Sequence, residues 1–276
     1  MDIGTHQHCE RSLCRRRWFH ILDVERAHGP ARHRLGVIFE LIEDLAKLAL
    51  IVASLYFALG AYVRRTRPAW SGPLERRRLM LLSVLVLAVS AIKVSEEAIG
   101  GESGPIDQAI LLFIHRHVPR GLTGFFEAVT LTGSSKVLFP LATAATIALL
   151  FARRRLEALL LAASVIGGAA LVYVVKALVG RERPALWETE AYWGSSFPSG
   201  HTLVVAAFAT ATALCASRIR PAARKLALPI AILWISLVAI SRLVLGVHWP
   251  TDVLAAACIG AFLPLAMSVG LELRYA

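Results

Sequence analysis

Charged residues are scarce in this chain. Asp, Glu, Lys and Arg supply 18% of its 276 residues, hydrophobic residues supply 57%, and the mean hydropathy is +0.62. A water-soluble domain of this length is nearer half apolar and carries more charge, so the soluble globular class is excluded. Acidic residues are the scarcer sign: 19 Asp and Glu stand against 30 Lys and Arg, for a formal net charge of +11. No aromatic-rich basic patch accompanies that excess, so nothing points to nucleic acid. In a membrane protein the excess reads as basic loops beside anionic lipid. Period-2 alternation is missing from the long apolar runs, which excludes a strand reading. The chain shows no convincing repeat, no low-complexity segment and no cleavable signal peptide, since the first apolar run begins near Lys47. The cysteines number four. Cys215 and Cys258 lie in apolar segments and read as small packing residues. Cys9 and Cys14, near His6 and His8, have zinc-ligand chemistry, but their spacing matches no standard finger and a basic tail is the simpler reading.

What is present is a series of apolar blocks, at about 47–63, 79–97, 136–151, 156–178, 202–217, 226–247 and 251–270. Spanning a bilayer takes about 20 apolar residues, and at 1.5 Å per residue the block 226–247 reaches about 33 Å. The pattern predicts an all-α polytopic transmembrane helix bundle of six or seven spans, in one domain. The first block is the ambiguous one, because Leu48 to Val63 gives only about 24 Å and Glu40, Glu43 and Asp44 stand upstream. Accordingly 1–46 reads as a basic, poorly ordered tail, 47–78 as an extra apolar segment with a basic loop, and 79–276 as the membrane domain. Small residues four apart (Ala163 and Gly167, Ser164 and Gly168, Ala207 and Ala211, Ala256 and Gly260) permit close helix approach, although alanine-rich composition alone produces such pairs.

Basic loops set the topology. Arg64, Arg65, Arg67 and Arg76–Arg78 crowd one loop, Arg153–Arg155 a second, and Arg218, Arg220, Arg224 and Lys225 a third. With alternating spans all three share one side, which should be cytoplasmic. The loops 98–135, 179–201 and 248–250 then face outward. Seven spans would place the basic tail outside; six, with the first block not crossing, would remove that conflict.

Three polar clusters fall at the outward ends of the last four blocks: "KALVGRERP" with Lys176, Arg183 and Pro184, "PSGH" ending in His201, and "SRLVLGVHWPTD" with Ser241, Arg242, His248 and Asp252. Each has a plain explanation alone. Lys176 would snorkel, Arg183 would be a loop charge, His201 a satisfied polar residue, and Asp252 a first-turn carboxylate complementing the helix dipole. Their company is not explained that way. Three cations, two histidines and one aspartate share one membrane face without a carboxylate cluster to neutralise the cations, and such a site calls for an anion of about phosphate size. Ser199 and Gly200 precede a helix start, whose free amides and positive dipole end bind phosphate. His248 and Asp252 are four apart with Pro250 between them, so one helical turn brings the carboxylate under the imidazole. That describes an activated His248 nucleophile, with His201 free to protonate a leaving oxygen.

Lys176 with six residues before Arg183-Pro184, then Pro198-Ser199-Gly200-His201, then Ser241-Arg242 with five residues before His248 and three more before Asp252, resembles the tripartite signature of the type 2 phosphatidic-acid phosphatase superfamily. The resemblance covers roughly residues 79–270 and departs from the usual six-span pattern only upstream, in residues 1–63. It implies that His248 attacks phosphorus to form a phosphohistidine, that Asp252 orients it, and that His201 protonates the leaving group. It implies that Lys176, Arg183 and Arg242, with Ser199 and the Gly200 amide, hold the phosphoryl oxygens, with no metal and no cofactor. The partners expected are a membrane lipid phosphate and the bilayer, at the plasma (inner) membrane with the site outward. By analogy within the family, polyprenyl diphosphate ranks first as substrate, then phosphatidic acid or phosphatidylglycerol phosphate, then lipid A phosphates. A non-catalytic lipid-handling protein on the same fold is the competing reading, and a vanadate-dependent oxidase fits so apolar a chain poorly.

Overall fold

The computed structural model describes residues 30–187 and 194–274. The tail residues His6, His8, Cys9 and Cys14 lie outside the described residues. The described chain is helical: α1 (Pro30–Thr66), α2 (Ser71–Arg76), α3 (Arg78–Gly100), α4 (Gly104–His117), α5 (Thr123–Thr132), α6 (Ser135–Phe151), α7 (Arg155–Val179), α8 (Gly200–Ile219), α9 (Arg224–Val244) and α10 (Pro250–Arg274). Six helices are long and apolar enough to cross a membrane, or seven if α5 and α6, bent by 42° at their junction, count as one broken span.

The chain divides into two compact units, Met1–Ala53 and Ser54–Ala276. In the first, the described residues are helical, and Phe39, Ile42, Leu45 and Leu50 are exposed. The helix starts at Pro30, before the boundary expected at 47, because ionised side chains on a helix surface do not end it. Lys47 Nζ meets Glu43 Oε1 at 2.7 Å in an i,i+4 pair. The second unit carries everything that follows.

At its centre stands α8. Residues 205–211 of this helix are buried without a break, and a helix apolar on all sides belongs inside a bundle. Val205, Phe208 and Ala211 pack with Leu138 and Ala142 of α6, Leu161 and Val165 of α7, and Val238 of α9. Large apolar side chains on the surrounding helices face outward, among them Ile166, Tyr173, Leu178 and Leu226. Such a surface is tolerable only against lipid.

Two glycines let helices close on α8. A Cβ on Gly260 of α10 would run into the Leu203 carbonyl and lie 2.7 Å from the Ala206 Cβ, and one on Gly168 of α7 would lie 3.2 Å from Leu203 Cδ2 and 3.4 Å from the Ala207 Cβ. Gly167 has nothing within 4 Å of its added Cβ, so the pairing of Ala163 with Gly167 carries no such contact.

The two ends of the bundle differ in charge. At one end Arg77 Nε and Arg218 Nη2 reach Glu272 near the end of α10, at 3.1 and 3.2 Å. That joins two of the expected basic loops to the C-terminal helix, as alternating spans require. At the other end α3 stops at Gly101 and α7 at Gly180, both left-handed with φ of 76° and 63°. A left-handed glycine ends a helix without a Cβ penalty and lets the chain double back. α4 and α5 occupy the stretch 98–135 expected from the sequence to be an outward loop.

Candidate active site

α7 delivers Lys176 one turn before its end, and the turn at Gly180 swings residues 181–187 back across the bundle. That strand of loop is pinned by Ser196 N donating to the Arg181 carbonyl at 2.7 Å and by Trp249 Nε1 donating to the Glu182 carbonyl at 2.9 Å. It holds Arg183 beside the turn between α9 and α10. Arg183 Nη1 donates to the Val247 carbonyl at 2.7 Å, while Lys176 Nζ and Arg183 Nη2 both donate to the Ser195 carbonyl. Arg242, in the last turn of α9, is 1% exposed and donates from Nη1 to Thr130 Oγ1 of α5 at 2.8 Å.

The turn after α9 passes through Gly246 (φ 67°), where a Cβ would strike the Trp187 ring, and then through His248 to Pro250 at the start of α10. Asp252 sits in the first turn. Its Oδ2 accepts from Trp249 N at 2.9 Å, so the carboxylate reaches back to cap its own helix. It also accepts from Ser196 Oγ and from Arg181 Nη1. His248, 2% exposed, lies between opposite charges: Nδ1 is 3.6 Å from Asp252 Oδ2, and Nε2 is 3.4 Å from Arg183 Nη1. A guanidinium only donates, so Nε2 presents a lone pair to Arg183 while Nδ1 carries the proton toward Asp252.

Burial pushes the His248 imidazole down from its ordinary 6.5 to about 4, with Asp252 opposing the shift and Arg242 and Arg183 adding to it. The ring is therefore neutral near pH 7, with its lone pair available. His201, partly buried in the first turn of α8, stands near Arg242, His248, Lys176 and Arg183. Fixed cations thus surround two imidazoles at one end of the bundle.

Ser199 and Gly200, expected to help hold phosphate, lie at the start of α8. Ser199 is fully buried; its Oγ is 3.0 Å from Thr202 Oγ1, and its N–H donates to the Asp252 carbonyl at 3.3 Å. The missing Cβ of Gly200 is explained by Val172, which would lie 3.3 Å from it. Ser199 makes no side-chain cap to α8, so the first-turn amides are not satisfied in that way. Residues the sequence reading passed over are also here: Arg181 and Ser196 on Asp252, Thr130 on Arg242, and Asp107 behind Arg181. Arg181 stands in the quoted "GRERP", and a fully buried Asp252 needs a cationic partner that His248 alone does not supply. Among the described residues no group of three His, Cys, Asp or Glu has a metal-holding arrangement.

The described residues form an integral-membrane helical bundle with cations gathered around an imidazole–carboxylate pair. Residues 157–274, which contain all of these groups except Asp107 and Thr130, match the family model of the PAP2 superfamily. It is 29% identical over 171 residues to a lipid A 1-phosphatase of Rhizobium johnstonii, covering 56% of this chain and 67% of the relative. It is 40% identical over 73 residues to the phosphatidylglycerophosphatase B of Escherichia coli K12, a shorter match that spans 26% of this chain and 27% of that protein. Among solved structures, a transmembrane PAP2-type phosphatidylglycerolphosphate phosphatase from Bacillus subtilis aligns with a TM-score of 0.63 at 25% identity, over 70% of this chain and 98% of the other.

Proposed function

We propose that this protein hydrolyses a phosphate on a lipid headgroup through a phosphohistidine at His248, without a metal, at the outward membrane face. The observation that carries the reading is the His248 ring held with Nδ1 toward Asp252 and Nε2 toward Arg183. Nε2 attacks phosphorus, the bond from phosphorus to the lipid oxygen breaks, and His201 gives that oxygen a proton. Water then attacks phosphorus and gives a proton to His201, the phosphorus–nitrogen bond breaks with its electron pair returning to Nε2, and inorganic phosphate leaves a neutral His248. His201 enters this cycle protonated once the phosphate's negative charge has joined the cations around it. Phosphoryl transfer is mostly positioning and charge stabilisation, and Lys176, Arg183 and Arg242 supply both. The first-turn amides of α8, with Gly200, complete the cradle.

The relatives' names favour a phosphate monoester on lipid A or on phosphatidylglycerol over the polyprenyl diphosphate ranked first from the sequence. Purified protein in detergent, offered these three and phosphatidic acid, should release phosphate fastest from one of the two monoesters named. Release should persist in a strong chelator and stop with vanadate, which adopts the five-coordinate geometry of the transfer. Loss of activity with chelator that magnesium restores would end the metal-free mechanism.

The outward placement rests on the basic loops lying at the opposite end from His248. In sealed right-side-out vesicles an impermeant thiol reagent should label Ala185→Cys but not Ala222→Cys. Both positions are exposed. The reverse pattern would turn the protein over in the membrane and put the site on the inner leaflet.

A further inference from the structure

Asp252 is held from behind. Arg181 Nη1 donates to Asp252 Oδ1 and to Thr251 Oγ1 (2.9 Å), while Nη2 donates to Asp107 Oδ2 at 2.8 Å. Asp107 lies in the first turn of α4 and is 1% exposed. It also accepts from Thr251 Oγ1 at 2.6 Å, from Thr251 N at 3.0 Å and from Ser103 Oγ at 3.1 Å. The guanidinium packs 5.8 Å from the centre of the Trp249 ring. Arg181 meets Asp252 at Oδ1, whereas His248 faces Oδ2.

The charge count gives the arrangement its meaning. Asp252 paired with Arg181 alone would be close to neutral, and a neutral pair stabilises an imidazolium poorly. Two carboxylates around one guanidinium keep a net negative charge, at low dielectric, next to the ring that turns cationic when its nitrogen is phosphorylated. A guanidinium fork also fixes a carboxylate's plane in a way that a point charge does not.

We infer that Arg181 and Asp107 are positioning residues of the reaction: Arg181 fixes the Asp252 carboxylate under His248, and Asp107 offsets the charge of Arg181 so that Asp252 keeps its pull on the imidazolium. This rests on the His248–Asp252 pair proposed above. A buried ion triad serving only to tie α4 to α10 would act on stability and not on the titration of His248, and that difference is measurable.

The acid limb of kcat/KM, followed with one substrate so that its own ionisation cancels between variants, reports the free His248. Asp107→Asn leaves Asp252 alone to balance Arg181 and should move the limb to lower pH. Arg181→Gln removes the positive charge and should move it to higher pH. The other groups facing His248 are unchanged in both: Arg183 from the loop, Arg242 from α9, His201 from α8 and Lys176 from α7. In each variant kcat should fall about 10–100-fold, the range for losing a partner that orients a ligand histidine, with KM unchanged. Arg181→Lys should restore the limb to its wild-type position while recovering only part of the rate. Asp107→Asn preserves shape and carries the test should Arg181→Gln not fold. Limbs that stay in place, or that move the same way in Asp107→Asn and Arg181→Gln, overturn the inference. His248→Ala assayed alongside separates the two levels: if it turns over substrate, the His248–Asp252 reading has failed; if it is inactive while the limbs do not move, only the role of Arg181 and Asp107 has.

Discussion

His248→Ala should abolish turnover, whereas His201→Ala should leave about 10⁻² to 10⁻⁴ of it, the usual worth of a general acid. The difference follows from what each ring does. His248 is buried, neutral near pH 7 and oriented through Nδ1, and in the proposed mechanism its Nε2 lone pair bonds to phosphorus. Removing it leaves cations that bind phosphate but no atom to accept it. His201 only moves a proton, and a leaving group that departs without one makes that service unnecessary. A substrate such as p-nitrophenyl phosphate should therefore recover much of the lost rate in His201→Ala and none in His248→Ala. Equal recovery in both variants would contradict the division of labour. Both proteins should retain the melting behaviour of wild type in detergent, which is checked in the same preparation.

The second large effect concerns arginine geometry. Arg183→Lys and Arg242→Lys keep the charge but lose the planar fork that meets two phosphoryl oxygens together. Arg183 stands 3.4 Å from His248 Nε2 and is braced on the Val247 and Ser195 carbonyls; Arg242 is buried and braced on Thr130. A lysine has no second arm to keep such a brace while reaching a ligand. Each substitution should lower kcat about 10²–10³-fold, as loss of one preorganised donor to developing negative charge does. Wild-type rates in either variant would remove that arginine from the phosphate-holding set. Arg242→Lys additionally loosens the hold on α5, so its melting temperature is the one expected to fall.

Long apolar blocks and the cluster residues were legible because both signals are local. An apolar run has the length of a span wherever it falls, and Pro250 two residues before Asp252 specifies the helical turn that brings the carboxylate under His248. α4 was not legible in that way. Its 14 residues mix Asp107, Gln108 and a basic last turn with apolar ones, too short and too polar to read as a span. The Ser103-Gly104-Pro105 start was its available signal, since proline in the first turn marks a helix beginning. The partnership of Asp107 with Arg181 depends on which loop charge turns inward, and no periodicity encodes that. Arg181 and Arg183 are two apart in one loop, yet one turns to Asp107 and Asp252 and the other to Val247 and His248. Gly200 shows the converse. A glycine at a helix start suggests room for a ligand, and the structure adds a packing reason the sequence does not show, since a Cβ there would meet Val172 of α7.

The most direct measurement is to quench a single turnover of radiolabelled lipid phosphate within milliseconds and locate the label on the protein. The account predicts a protein-bound phosphate that survives alkali, is lost in acid, maps to His248, persists longer in His201→Ala and is absent from His248→Ala. Label on any other residue, or full turnover by wild type with no labelled protein at any time, would contradict it.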